Sequence, residues 1–193
     1  MIISKIATPL RAPRILAFRR FTSAASSSAD LHIRPADAAD HQRVVEIATD
    51  VVQEGQSYAW LHPDREALAE YFLPKHDTQT FVAEREGVVA GAYILHPNQP
   101  GRGDHVAHCA YIVDDAYRKQ GIGEAMGHHS LQEAQQQGYL AMQFNMVVST
   151  NSTAVRLWER LGFERIGTVP KCYRLGEPGK ETLVDAFVMH RFL

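Results

Sequence analysis

From residue 31 onward the apolar positions recur with two periods, and the switching between them predicts the order of elements. Leu31 and Ile33 alternate with polar neighbours as a short strand that ends in Pro35-Ala-Asp37. Val44, Ile47, Ala48 and Val51 fall at i, i+3, i+4 and i+7, one face of a helix that Asp37 or Asp40 would cap. Leu68, Tyr71 and Phe72 mark a second helix, placed near Pro63 because proline suits a first helical turn. Phe81 to Leu95 holds two apolar runs folded about Glu86-Gly87, which predicts a hairpin. A polar loop rich in glycine and proline, Pro97 to Asp104, leads to a strand over His105 to Val113. A helical pattern opens at Gly123, and a strand follows over Tyr139 to Val148. Ala154, Leu157, Trp158 and Leu161 then line one face of a helix that starts at Asn151 and is capped by Gly162. Phe163 to Val169 and Leu183 to His190 close the pattern as two strands around Glu177-Pro-Gly179. The order β-α-α-β-β-β-α-β-α-β-β is that of an α/β protein with a mixed sheet, in one domain over residues 30–193 and without repeats.

Composition narrows the classes. A chain of 193 residues with 45% hydrophobic content supports one substantial core. A formal net charge of −2 argues against a nucleic-acid binder driven by phosphate contacts. No apolar run approaches the ~18–20 residues that span a bilayer. The two cysteines, Cys109 and Cys172, have no CxxC spacing, and neither His105 with His108 nor His128-His129 forms a metal pattern, so no metal is expected. Charge is unevenly spread. Residues 1–29 carry Lys5, Arg11, Arg14, Arg19 and Arg20, no acid, and the run Thr22-Ser-Ala-Ala-Ser-Ser-Ser-Ala29. That composition reads as a mitochondrial transit peptide, with Arg19-Arg20-Phe21-Thr22-Ser23 resembling a matrix-processing site. The competing reading is a weakly basic tail on a cytoplasmic protein. Pro9, Arg11, Pro13 and Arg14 interrupt the apolar core that a secretory signal needs.

Chemistry concentrates where the strand Tyr111-Ile112-Val113 runs through Arg118-Lys119-Gln120-Gly121-Ile122-Gly123 into a helix. Such a turn presents consecutive backbone N–H groups to an anion, and the helix adds four unpaired N–H groups and the positive end of its dipole. Glycine at two of these positions permits positive φ and close approach. A P-loop would need Gly-x-x-x-x-Gly-Lys-Ser/Thr, which is absent, and the third glycine of a dinucleotide fingerprint is replaced by Met126.

Arg118-x-x-Gly121-x-Gly123, followed by Asn151, Ala154, Trp158 and Leu161-Gly162-Phe163, resembles the two cofactor motifs of the GNAT acetyltransferase superfamily. The resemblance implies that Arg118, Lys119, Gln120, Gly121, Ile122 and Gly123 hold the pyrophosphate of acetyl-CoA, with Asn151 and Trp158 beside the cofactor. It implies a splayed central sheet whose opened edge takes the pantetheine arm. It also implies a backbone amide near Ile112 or Val113 that stabilises the oxyanion. Many members have a tyrosine where this chain has Trp158; an indole N–H donates a hydrogen bond but is no proton source at neutral pH.

A closer likeness is carried by Phe144-Asn145 through Thr150-Asn151, Leu157-Trp158, Arg165 to Pro170, Glu54-Gly-Gln-Ser-Tyr58 and Val184-Asp185-Ala. These segments are similar to the fungal N-acetyltransferases that detoxify azetidine-2-carboxylate, a proline analogue. The resemblance implies a small amino acid as amine substrate, with Asn145 holding it, and by analogy a homodimer. The family's other substrate asparagine, on the strand that leads into the glycine loop, is replaced by His108, which would hydrogen-bond the substrate or act as general base. Asn145 and His108 are thus the catalytic candidates, and Tyr58 and Glu54 join them in the substrate pocket. Asn145 is expected to be a buried amide in need of partners. Two other readings stay open: acetylation of a lysine or N-terminus on a protein, and an acetyl-CoA-binding module without turnover.

Overall fold

The computed structural model describes residues 31–73, 75–177 and 179–193; the transit-peptide reading of residues 1–29 lies outside them. The strands are β1 (Leu31–Pro35), β2 (Gln79–Arg85), β3 (Val88–Pro97), β4 (Val106–Val113), β5 (Ala141–Val148), β6 (Glu164–Leu175) and β7 (Thr182–Phe192). The helices are α1 (His41–Gln53), α2 (Arg65–Phe72), α3 (Ile122–Gln136) and α4 (Ser152–Arg160). This is the order that the periodicity predicts. One sheet runs β1-β2-β3-β4-β5-β7-β6, antiparallel throughout except for the parallel pair β4 and β5.

Strand alternation sends side chains into two cores. On one face Val44, Ile47, Ala48 and Val51 of α1 and Leu68 and Phe72 of α2 pack on Val82, Ala92, Ile94, Ala110 and Ile112. On the other, Ile122, Met126 and Leu131 of α3 and Val155 and Trp158 of α4 pack on Tyr93, Leu95, Met142 and Phe144. Helices α3 and α4 touch through Gly127, where a Cβ would lie 2.5 Å from Leu161 Cδ1.

Element ends differ in places from the pattern. Helix α2 begins after Pro63, because the Asp64 side chain accepts the N–H groups of Glu66 and Ala67 at 3.0 and 3.3 Å. Asp40 stands at the start of α1 without capping it; its carboxylate is taken by Arg34 at 2.6 and 3.0 Å and by the Asp37 N–H. Strand β6 runs well past Val169 to Leu175, and its pairing with β7 is interrupted between Val169 and Tyr173. At that break Lys171 has φ 51° and turns its N–H to Asp185 Oδ1 at 2.8 Å.

The feature that makes a site is the separation of β4 from β5. They pair only at Val106 with Ala141 and at Ala107 with Met142. Beyond Met142, β5 follows β7, through an irregularity between Phe144 and Val147, and leaves β4 without a partner on that side.

Candidate active site

Two structures meet at the separation: a loop of backbone N–H groups at the end of β4, and a cleft between β4 and β5. The loop is anchored from α1. Arg43 holds Asp114, whose side chain also accepts the Ala116 N–H at 2.8 Å. The chain then passes through Lys119 at φ 59° and Gly121 at φ 81°, both left-handed, and enters α3. The first helical bond of α3 runs from the Ala125 N–H to the Gly121 carbonyl, so the N–H groups of Ile122, Gly123 and Glu124 precede it and point outward. Arg85 braces the loop from β2 by donating to Gln120 Oε1 at 2.5 Å.

The two glycines have different grounds. Gly121 is required by its backbone angle. Gly123 has ordinary φ, and a Cβ there would meet only Leu157 Cδ2 at 3.6 Å. Packing within the chain does not require glycine at 123; a close-lying ligand would. The loop therefore fits a diphosphate held mainly by backbone N–H groups.

Arg118, expected at the phosphates, has partners within the chain. Its guanidinium grips Glu54 at 2.6 and 2.9 Å, donates through Nε to the Val113 carbonyl at 3.3 Å, and lies 3.4 Å from Asp115. The Glu54 hydrogen bonds, with the charges of Glu54, Asp115 and Asp114, raise its pKa above the ordinary value. Glu54, expected in the substrate pocket, is the C-terminal cap residue of α1 and belongs to this ion pair instead.

The cleft has a volume of about 290 Å³. Tyr58, His108, Asn145, Asn151 and Trp158, far apart in sequence, all line it, with Cys109, Tyr111, Phe144 and Val147. A depression of about 710 Å³ between α3 and the end of β7 shares no residue with it or with the loop. Trp158 is buried, its ring 4.7 Å from both Tyr111 and Phe144, and serves as wall. Asn151 caps α4 by accepting the Ala154 N–H at 3.1 Å and reaches Ser57 Oγ at 3.3 Å. Asn145 is exposed at the rim rather than buried. It is fixed by Gln143, which donates to its Oδ1 at 2.9 Å, and by Asn98, which accepts from its Nδ2 at 2.6 Å. Asn98 was not signalled by the sequence, since it lies in the polar loop 47 residues away.

His108 bridges the split. Its Nδ1 donates to the Gln143 carbonyl at 2.9 Å, which fixes the neutral tautomer and leaves Nε2 as a hydrogen-bond acceptor. Burial, with the neighbouring His96 ring 5.2 Å away, pulls its pKa down to about 4. Cys109, the thiol of the cleft wall, is pushed up to about 12 by burial and stays protonated.

The phase of β4 decides which backbone groups face the cleft. The Asp114 N–H bonds the Ala90 carbonyl and the Asn98 N–H bonds the Val106 carbonyl, at the two ends of the β3–β4 ladder. With the register between them, His108, Ala110 and Ile112 turn their polar groups to β3, while Cys109, Tyr111 and Val113 turn theirs to the cleft. Of the two amides expected there, that of Ile112 is committed to β3, and that of Val113 faces the cleft.

Comparison with known proteins agrees with this geometry. The model of the acetyltransferase (GNAT) family matches residues 44–163. N-acetyltransferase aca1 of Schizosaccharomyces pombe is 35% identical over 115 residues, 60% of this chain and 54% of that protein, so the match spans about half of the relative's length. A GCN5-related N-acetyltransferase from Kribbella flavida superposes with a TM-score of 0.78 at 36% identity, over 84% of this chain and 98% of that one. The fold is shared with yncA of Salmonella typhimurium, solved with its cofactor acetyl-CoA, at a TM-score of 0.75 and 22% identity, over 85% of this chain and 94% of that one. With its motifs, its split sheet and the family match over most of its length, the chain belongs to the acetyltransferase (GNAT) family.

Proposed function

We propose that this chain is an acetyl-CoA-dependent N-acetyltransferase whose amine substrate is a small amino acid or proline analogue. The observation that carries the substrate class is the lining of the cleft. Among the described residues that line its 290 Å³, no Asp, Glu, Lys or Arg occurs. A long cationic side chain or polyamine would be left without a counter-charge there, which is costly in a confined space. A small zwitterion needs only neutral donors for its carboxylate, and the amide cluster of Asn145, Gln143 and Asn98 supplies them at the rim. The volume also lies at the low end of ligand pockets. The likeness of the Asn145 strand to the azetidine-2-carboxylate acetyltransferases supports the same class.

Acetyl-CoA fits the loop and the β4 edge: outward N–H groups of Ile122, Gly123 and Glu124 for the diphosphate, and N–H groups of Cys109, Tyr111 and Val113 for carbonyls of the arm. It supplies an acyl group already activated as a thioester, so the enzyme's task is largely positioning. The cleft-facing N–H of Val113 or Tyr111 is the donor for oxygen charge that develops during attack. As the C–N bond forms and the C–S bond breaks, the amine sheds a proton, for which the unprotonated His108 Nε2 on the cleft wall, a weak base at a pKa of about 4, is the candidate first acceptor on the way to solvent. Thiolate is a good leaving group, so Trp158 in place of a tyrosine is no obstacle. Cys109, held protonated, is a poor nucleophile, which favours direct transfer over an acyl-cysteine.

The test is CoA release by the full-length chain with acetyl-CoA and azetidine-2-carboxylate, hydroxyproline, free amino acids or a lysine peptide. Turnover on small amino acids is expected, with the amine substrate KM raised roughly 10- to 100-fold in Asn145→Ala, the worth of a hydrogen bond to a charged group. Turnover confined to the peptide would move the function to protein modification. Acetyl-CoA binding without turnover on any amine would leave a binding module.

A further inference from the structure

Where β4 and β5 part, backbone carbonyls lose the partners that a continued ladder would give them, and here the carbonyls of Tyr111, Val113 and Gln143 are taken up. Each is met by a side chain instead. Tyr58 Oη donates to the Tyr111 carbonyl at 2.8 Å, Arg118 Nε to the Val113 carbonyl at 3.3 Å, and His108 Nδ1 to the Gln143 carbonyl at 2.9 Å. The last is telling, because a parallel ladder extended past Ala107 and Met142 would have spent the Gln143 carbonyl on the Cys109 N–H. Arg118 is in turn held by Glu54 from α1, and Tyr58 is braced where Tyr173 Oη donates to the Tyr58 carbonyl at 3.1 Å.

We infer that Tyr58 and the Glu54–Arg118 pair are positioning residues that keep the sheet split and turn the β4 edge into a row of donors. Their side chains occupy the carbonyls of Tyr111 and Val113, whereas the N–H groups of Cys109, Tyr111 and Val113 have no strand partner among the described residues. Such an edge selects a ligand that brings carbonyl oxygens in series, as the amides and thioester of the acetyl-CoA arm do. On this assignment, which rests on the acetyl-CoA reading, Tyr58 and Glu54 act on the cofactor through the backbone and through Arg118, and do not touch the amine substrate.

The experiment has two arms. In steady-state kinetics, Tyr58→Phe and Glu54→Gln raise the KM for acetyl-CoA about two- to tenfold, the worth of one net hydrogen bond, and leave the amine substrate KM within about twofold. Glu54→Asp restores part of the loss. The same ratio for Tyr58→Phe is expected with S-acetylpantetheine, which keeps the carbonyls and lacks the diphosphate. A change confined to the amine substrate KM, or no change in either constant, overturns the assignment. The second arm needs no turnover. In the free full-length protein, amide exchange alternates along β4, fast at Cys109, Tyr111 and Val113 and slow at Ala110 and Ile112. Uniform protection of all five would mean that the donors are not free and sinks the inference by itself. Absence of acetyl-CoA binding alongside alternating exchange would instead sink the acetyl-transfer reading and leave the donor edge in need of another carbonyl-rich ligand.

Discussion

Gly121, Gly123 and Gly127 lie within two turns of one another, and the structure asks something different of each. Gly121 sits at φ 81°, so Gly121→Ala costs ~1–2 kcal/mol of stability through its backbone alone. Gly127→Ala drives a methyl to 2.5 Å from Leu161 Cδ1 and costs ~1–3 kcal/mol by overpacking α3 against α4. Gly123→Ala leaves stability within ~0.5 kcal/mol, because only Leu157 stands near. It nevertheless weakens acetyl-CoA binding at least tenfold. Denaturant unfolding and calorimetric titration of the three variants check this; a Gly123→Ala protein that binds acetyl-CoA normally would remove the reason given for that glycine. His108 supplies a pH signature. Its folded pKa of about 4 lies below the ordinary 6.5, so the unfolded chain binds more protons between these values. Stability from this group is complete above about pH 6.5 and is lost as pH falls through about 4, where His108→Asn flattens the dependence. Unfolding midpoints measured from pH 4 to 7 test the sign.

At the scale of elements, hydrophobic period was enough to order the strands and helices, because each buries one face and the face is written locally. The ends were less legible. Asp64 rather than Pro63 sets the start of α2, since the deciding contact is a side chain reaching back to Glu66 and Ala67. Asn151 is the counterexample: its place before the apolar face of α4 was readable, and Asn151→Ala is expected to cost ~1 kcal/mol in thermal unfolding. The candidate site was readable only where its residues are contiguous. The loop from Arg118 to Gly123 announces itself by spacing. The roles of Glu54, Asn98 and His96 do not, because their partners Arg118, Asn145 and His108 come from other elements and meet them only after the sheet forms. The resemblance carried by Glu54-Gly-Gln-Ser-Tyr58 implies a shared pocket for its two ends, whereas α1 ends in time to turn Glu54 toward the loop.

For the molecule as a whole, cores on both faces of the sheet join at strands that the cleft then separates, so ligand binding and global stability are linked. Acetyl-CoA at a hundred times its Kd should stabilise the folded chain by ~2.7 kcal/mol and raise Tm accordingly. An unchanged Tm at saturating acetyl-CoA would contradict the proposed site. The far edge of the sheet carries a different consequence. Strand β6 is the terminal strand and is exposed from Glu164 through Cys172, with Ile166 and Val169 uncovered. A long apolar edge of this kind invites cross-β stacking between chains. Here Pro170 offers no N–H, and Lys171 bends out of the strand to bond Asp185, which breaks the run of edge groups into two short pieces. Replacing Pro170-Lys171 with a plain β-branched pair would thus turn an interrupted edge into a continuous template for stacking between chains.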